Sequence, residues 1–355
     1  MMSAEAKLKE RLSPFVVVDT AGLPRDDWLN YLRRGIGGSD VAAILGVSPF
    51  RTARDIYYDK LGVVAVEPDE SNWVPLEVGN LLEDLVARIF QKKTGYRIFK
   101  IKKMFYHPKH QFMLADVDYF VELPDGTIAL LEIKTTNYNA KDNWWLDGRE
   151  IVPVYYELQG RHYMAVMDYD RVFFCCLYGN TEDEVIIREI KRDFAYEEEL
   201  IYLEQAFWQD NVLVKNPPPY VEDGDLVLES VRMYSEPADP DAEAVTLDFT
   251  QMAMLAQYLQ MQQEKSRLDA DSKKLETAMK RLRGRIASEM GACCRAVGNY
   301  NGVDYTVTNN PVRKPILAKD NMTRLQLNHP EIYDEYVTTC EYRKFSVRSK
   351  TSEAA

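Results

Sequence analysis

The chain has 355 residues, enough for one large domain or two smaller ones, and its 46% hydrophobic content allows a sizeable core. A net charge of −12 excludes a simple electrostatic nucleic-acid binder, because phosphates favour basic surfaces. There is no signal peptide and no apolar run long enough to span a membrane, so a soluble protein inside the cell is expected.

The first informative segment runs from Trp28 to Gly46. Arg33 and Arg34 precede a glycine turn, Ser39 stands at a good N-cap position, and an apolar helix follows. Free backbone N–H groups at a helix start, with arginines nearby, suit a phosphate. The plainer reading is a capped helix whose glycines serve only the turn.

Leu76 to Phe90 reads as an amphipathic helix, with Leu82, Val86, Ile89 and Phe90 at helical spacing. Glu83 stands beside that stripe, either as a metal ligand or as a plain solvated glutamate. A basic run follows: Lys92, Lys93, Arg97, Lys100, Lys102, Lys103 and Lys109. It is either a local channel for a polyanion or a set of solvated faces. His107 and His110 read as loop residues.

Two strand-like segments carry the strongest signal: Met113 to Val121, then Ala129 to Thr135, joined by a turn at Pro124, Asp125 and Gly126. If they pair as neighbours, Asp118 comes near Glu132 and Lys134. Alternate side chains of a strand share a face, so Glu132 and Lys134 point one way while Leu131 and Ile133 point into the core. Two carboxylates hold a divalent cation, and an adjacent lysine orients an attacking water and offsets phosphate charge. The alternative is an ordinary hairpin face with an ion pair of little energetic worth. Downstream, Tyr155 to Val166 reads as a helix, with Gln159 and Tyr163 on one face.

Cys175-Cys176 and Cys293-Cys294 are adjacent pairs and Cys340 stands alone, with none at metal-binding spacing. No iron–sulfur cluster is expected. Past the turn-rich segments Asn216 to Tyr220 and Glu236 to Pro240, a long polar helix is predicted over about 248–290. Leu268, Leu275 and Leu282 recur every seven residues, with Met279 and Ile286 four after a leucine; Lys265 and Ser272 interrupt the seam. A coiled coil, a helical arm and a face packed on the preceding domain remain open. A second basic cluster, Lys280, Arg281, Arg283 and Arg285, lies on this helix. Tyr300 to Val303 forms a hairpin turn, Tyr305 to Val307 and Phe345 to Val347 read as strands, and Asp320 to Tyr333 reads as helical with a break near Pro330.

The run Ile36-Gly37-Gly38-Ser39-Asp40 to Gly46, followed by Ser48, Pro49, Phe50 and Thr52, together with Glu132-Ile133-Lys134, resembles the YqaJ-type viral recombinases, relatives of the phage lambda exonuclease within the PD-(D/E)XK nuclease superfamily. The resemblance covers roughly residues 25–210. It implies an α/β fold with a PD-(D/E)XK nuclease core, a central mixed sheet flanked by helices, and a helical or α+β C-terminal extension. The expected organisation is a nuclease domain over 1–215, a linker over 216–247, the long helix over 248–292 and a small α+β extension over 293–355.

By the same resemblance, Asp118 and Glu132 are metal-binding acids, the Ile133 carbonyl and Glu83 further ligands, Lys134 the catalytic lysine, and Gln159 and Tyr163 the Q-xxx-Y motif. Arg33 or Arg34, with Ser39, would meet a 5′-phosphate. Where the family commonly has Pro-Asp-Gly, this chain has Val117-Asp118-Tyr119, and Asp116 on the same strand face rivals Asp118. The implied activity is a Mg²⁺-dependent DNA exonuclease, with Mn²⁺ able to substitute. It acts 5′→3′ from duplex ends in phage-type recombination, as a homo-oligomer such as a trimeric ring, beside a single-strand annealing protein, in the cytoplasm of a bacterial or phage-infected cell. A structure-selective endonuclease and a non-catalytic DNA-binding scaffold are the alternatives.

Overall fold

The computed structural model describes residues 3–66, 73–236, 239, 241–312 and 319–337. The chain divides into two compact units, Met1–Glu236 and Pro237–Ala355.

The first unit contains, in order, α1 (Ala4–Leu12), β1 (Val16–Asp19), α2 (Arg25–Leu32), β2 (Ile36–Gly37), α3 (Gly38–Ile44), α4 (Ala53–Lys60), α5 (Trp73–Thr94), β3 (Arg97–Phe99), β4 (Lys103–Tyr106), β5 (Met113–Ala115), β6 (Tyr119–Glu122) and β7 (Ile128–Thr135). It continues with β8 (Trp145–Leu146), β9 (Arg149–Glu150), α6 (Val154–Met167), β10 (Arg171–Leu177), β11 (Val185–Lys191), α7 (Phe194–Phe207) and α8 (Gly224–Tyr234). The principal sheet has the order β11-β10-β7-β6-β3. β7 and β10 run parallel while the other neighbours are antiparallel, so the sheet is mixed. A second sheet, β1-β4-β5-β2, lies in the same unit.

Both faces of the principal sheet are covered. Leu131 and Ile133 of β7 pack with Val86, Ala87 and Phe90 of α5. Leu130 of the same strand packs with Met164 of α6 and with Phe174. The face of β7 that carries Glu132 and Lys134 is therefore an interior one, unlike the ordinary hairpin face of the alternative reading: the strand is buried on both sides, as parallel pairing with a helical crossover requires. The crossover from β7 to β10 is α6, and its close seating depends on Gly160. A Cβ there would stand 2.6 Å from Phe174 Cζ.

α5 and α6 extend the helices expected over 76–90 and 155–166. The turn between β6 and β7 uses Gly126 at φ 80°, where a side chain is strained, and Asp125 takes the Thr127 N–H. Residues 216–247, expected as a linker, include α8, which belongs to the first unit. Ser230 hydrogen-bonds Asp55 of α4, and Tyr234 stacks on Tyr58 at 4.4 Å. Asp223 caps this helix through the Asp225 N–H.

The second unit holds α9 (Phe249–Met290), the hairpin β12 (Arg295–Tyr300) and β13 (Val303–Thr308), α10 (Lys319–Asn328) and α11 (Pro330–Tyr336). α9 matches the expected long helix, with a capping box between Asp248 and Gln251. Asn301 and Gly302 both have positive φ in the hairpin turn, as a two-residue turn of this hand demands. The helix break expected near Pro330 separates α10 from α11. The strand expected at Phe345 to Val347 lies outside the described residues.

Candidate active site

β6 and β7 pair with Tyr119 opposite Leu131, which puts Asp118 beside the next residues of β7. Asp118 Oδ2 accepts a 2.8 Å hydrogen bond from the Ile133 N–H. The acid is thus fixed to the strand whose carbonyl was expected to share its ligand role. Two residues earlier, Asp116 takes a 2.7 Å bond from the indole of Trp28 on α2. Asp118, not Asp116, faces Glu132 and Lys134.

Glu132 is 1% exposed. Its Oε2 accepts from Gln159 Nε2 at 2.8 Å and from Lys134 Nζ at 3.1 Å. Lys134 Nζ also donates to Gln159 Oε1 at 2.9 Å, closing a triangle between β7 and α6. Glu132 Oε1 is buried with no hydrogen-bond partner. Such an orphaned carboxylate oxygen is costly unless something else satisfies it.

The electrostatics agree. Burial raises the Glu132 carboxyl to about 8, with the Asp118 charge adding to the effect against Lys134. Burial raises Asp118 to about 6, opposed by Lys134 and reinforced by Glu83. Asp116 is also raised, mainly by burial. Burial works against the Lys134 ammonium, but Glu132 and Asp118 overcome it and hold its pKa above the ordinary value. The cluster carries more acid than its one lysine can balance. Asp118, Glu132 and the Ile133 carbonyl are the groups that fit a divalent cation, a hard oxygen set of the kind Mg²⁺ accepts with water and phosphate completing its shell. Among the described residues, no three histidine, cysteine, aspartate or glutamate side chains gather as a group that could hold a metal ion, so the donor set is two carboxylates and a backbone carbonyl.

A cavity of about 380 Å³ is lined by Asp116 and Asp118 and, among others, by Gln159, Tyr163, Ser39 and Glu83; Glu132 and Lys134 do not line it and stand behind Gln159, to which both are bonded. Gln159 and Tyr163 are both brought to it by α6. Burial holds the Tyr163 phenol well above its ordinary pKa, so it is a neutral donor. α3 lies against this face of α6 because position 38 is glycine: a Cβ there would stand 2.5 Å from Tyr163 Cε1. The double glycine therefore serves close packing as well as the turn.

Several expectations change here. Gly37, not Ser39, is the N-cap of α3, and the Asp40 carboxylate takes the Gly37 N–H at 2.9 Å. Asp40 is in turn paired with Lys60 at 2.6 Å. Ser39 is in the first turn and lines the cavity. Arg33 is paired with Asp59 and Arg34 lies over the Tyr31 ring, and neither lines the cavity. Arg25, stacked over Trp28 at 4.6 Å, does line it, with Lys100 and Lys102. Glu83 lines the cavity too, but its carboxylate is bound to Lys100 at 2.7 Å. Of the remaining basic run, Lys92, Lys93 and Arg97 pair with Glu182, Asp183 and Glu122. His107 organises its loop by accepting the N–H groups of Lys109 and His110.

Residues 27–170 match the family described as the YqaJ-like viral recombinase domain. The chain is 30% identical over 336 residues to the uncharacterized protein YqaJ of Bacillus subtilis (strain 168), covering 94% of this chain and 97% of that protein. Among solved structures it is similar to the alkaline exonuclease LHK-Exo of Laribacter hongkongensis, at 18% identity and a TM-score of 0.41 over 52% of this chain and 91% of that one. It is also similar to a phage-related exonuclease of Haemophilus somnus 129PT, at 14% identity and a TM-score of 0.36 over 53% and 99%.

Proposed function

The chain belongs to the YqaJ-like viral recombinase family, and we propose that it is a divalent-metal-dependent deoxyribonuclease, an exonuclease that degrades duplex DNA from its ends. The observation that carries this reading is the over-acidic, lysine-bearing cluster of Asp118, Glu132 and Lys134, whose buried Glu132 Oε1 has no partner among the described residues.

Asp118, Glu132 and the Ile133 carbonyl would hold the cation, Mg²⁺ by preference with Mn²⁺ as a substitute. When bound, the cation polarises the scissile phosphate and lowers the pKa of a water. Lys134 stays protonated, held by Glu132 and Gln159, and donates to the attacking water and to charge developing on phosphate. Gln159 keeps Glu132 and Lys134 in register, and Tyr163 presents a neutral hydroxyl to the cavity. Glu83, which lines the cavity paired with Lys100, would be a further ligand for the cation. Ser39 and Arg25 take the terminal 5′-phosphate, the role expected of Arg33 or Arg34, which sets a 5′→3′ direction and leaves 3′ single strands for annealing.

The organisation proposed beyond this is a homo-oligomer such as a trimeric ring around duplex DNA, working in the cytoplasm with a single-strand annealing protein. Among the described residues no helix is long and apolar enough to cross a membrane.

The test uses linear duplex DNA labelled at one 5′ end, a closed circle, Mg²⁺ or Mn²⁺, and the Lys134→Ala variant. Degradation from the 5′ end with survival of the circle, lost in the variant, is the expected result. Cutting of the circle would replace the exonuclease by an endonuclease, and binding without cutting would leave a scaffold.

A further inference from the structure

We infer that α9 is an antiparallel dimerisation element, pairing with α9 of a second copy of this chain. The inference does not rest on the nuclease reading.

α9 has 42 residues, about 63 Å of helix. Leu268, Leu275, Met279, Leu282 and Ile286 lie on one seam and are between 50% and 69% exposed. Assigning the leucines to d positions puts Lys265, Ser272, Met279 and Ile286 at a. The flanking e and g positions are then acidic toward the N-terminus (Glu264, Asp269, Asp271, Glu276) and basic toward the C-terminus (Arg283, Arg285).

This polarity decides both partner and direction. In a parallel pair, each g residue meets the following e residue of the other helix. Glu264 would face Asp269 and Asp271 would face Glu276, with like charges on both sides of the seam. In an antiparallel pair, e meets e and g meets g, so the acidic half of one helix meets the basic end of the other.

One register satisfies the charges best. Placing Met279 level with Leu275 of the second copy sets Ile286 against Leu268 and Ser272 against Leu282. It also brings Asp269 to Arg283, Asp271 to Arg285 and Lys265 to Glu289, each twice by symmetry. The one like-charge meeting is Glu276 with its own copy, and Lys280 lies 3.7 Å from each Glu276 along its own helix. Sliding by one heptad either way halves the acid–arginine meetings at e and g. The seam's two polar a positions are thereby accounted for: Lys265 gains a carboxylate, and Ser272 sits against a leucine that shields it.

Sedimentation of the full-length protein across a concentration series tests this. Leu275→Asp with Leu282→Asp is expected to halve the particle mass of the wild type, whether the unit left behind is a single chain or the proposed ring, while helix content by circular dichroism is kept. At low salt, Arg283→Glu with Arg285→Glu is expected to weaken association at least about ten-fold. Adding Asp269→Arg and Asp271→Arg to that pair restores it. A wild type that stays monomeric, a mass unmoved by the leucine changes, or arginine reversals that leave association unchanged or tighten it would each overturn the inference. Failure of the four-fold charge exchange to restore pairing would do the same. The protein's nuclease activity enters none of these readouts.

Discussion

α6 touches two buried charged clusters of opposite character. On one side, His162 Nδ1 donates to Glu204 of α7 at 2.9 Å and Nε2 donates to the Leu114 carbonyl at 2.9 Å, with His162 and Glu204 both fully buried. Burial disfavours the imidazolium, but Glu204 and the carbonyl together raise its pKa. That cluster is one cation, one anion and a complete set of bonds. On the other side, Asp118 and Glu132 share Lys134, Asp116 adds a third acid beside them, and one Glu132 oxygen has no hydrogen-bond partner among the described residues. Burial alone does not mark a site, since both clusters are buried. Imbalance does: the balanced pair is satisfied within the chain, and the unbalanced one is the site proposed to take charge from outside it.

The contrast is testable, beginning with the largest expected effect. Lys134→Ala should lower hydrolysis about 10³-fold or more in the protein that remains folded, measured by single-turnover cleavage with the folded fraction set by urea denaturation. Glu204→Ala should do the reverse. It strands a buried imidazolium and should lower stability by about 3–5 kcal/mol, with the surviving folded fraction still responding to metal. Gly38→Ala tests the packing between α3 and α6. Displacing Tyr163 and Gln159 should reduce the rate about 10²-fold, and the lost Gln159–Glu132 bond should weaken metal binding as well, read by isothermal titration beside kinetics.

Glu132→Gln should abolish the stabilisation that Mg²⁺ confers on the wild type, which at a hundred-fold excess over its dissociation constant is about 2.7 kcal/mol. The metal-free wild type adds a pH signature. Glu132 has a folded pKa of about 8, raised above its ordinary value of 4.5, so the folded state holds a proton that the unfolded state releases. The contribution is present below about pH 4.5 and is lost as pH rises toward 8. The Gln variant should flatten that slope; an equally steep slope would exclude Glu132 as its source. Asp116→Asn should have the smallest effect, a few-fold in rate, because its bond is to Trp28 and not to Asp118, Glu132 or Lys134.

The strands, their turn and the helix faces of Gln159 and Tyr163 were legible because each depends on spacing within a few residues. Asp118 beside Glu132 needed only the hairpin register. What spacing could not supply was contact between distant segments. Trp28 reaches Asp116 across 88 positions, which brings α2 and Arg25 to the cavity in place of Arg33 and Arg34. Burial of both faces of β7 was hidden because alternation looks the same whether a helix or water covers the polar side. Two differences had local signals. Asp40, three residues after Gly37, is the reciprocal half of a capping box. Asp223 before Leu226, Ser230 and Tyr234 marks α8 within what reads by composition as a linker.

The Trp28 indole has a further consequence, in optical terms. It lines the cavity, donates to Asp116 and lies beneath the Arg25 guanidinium. An indole whose N–H and ring face are both engaged by charged groups emits according to how those groups move. Entry of a cation among the acids, or of a phosphate beside Arg25, shifts one or both. The chain thus carries its own fluorophore at the mouth of the cavity, and Trp28→Phe identifies its share of the emission among the five tryptophans. Occupancy can be followed there before any bond in a substrate is broken.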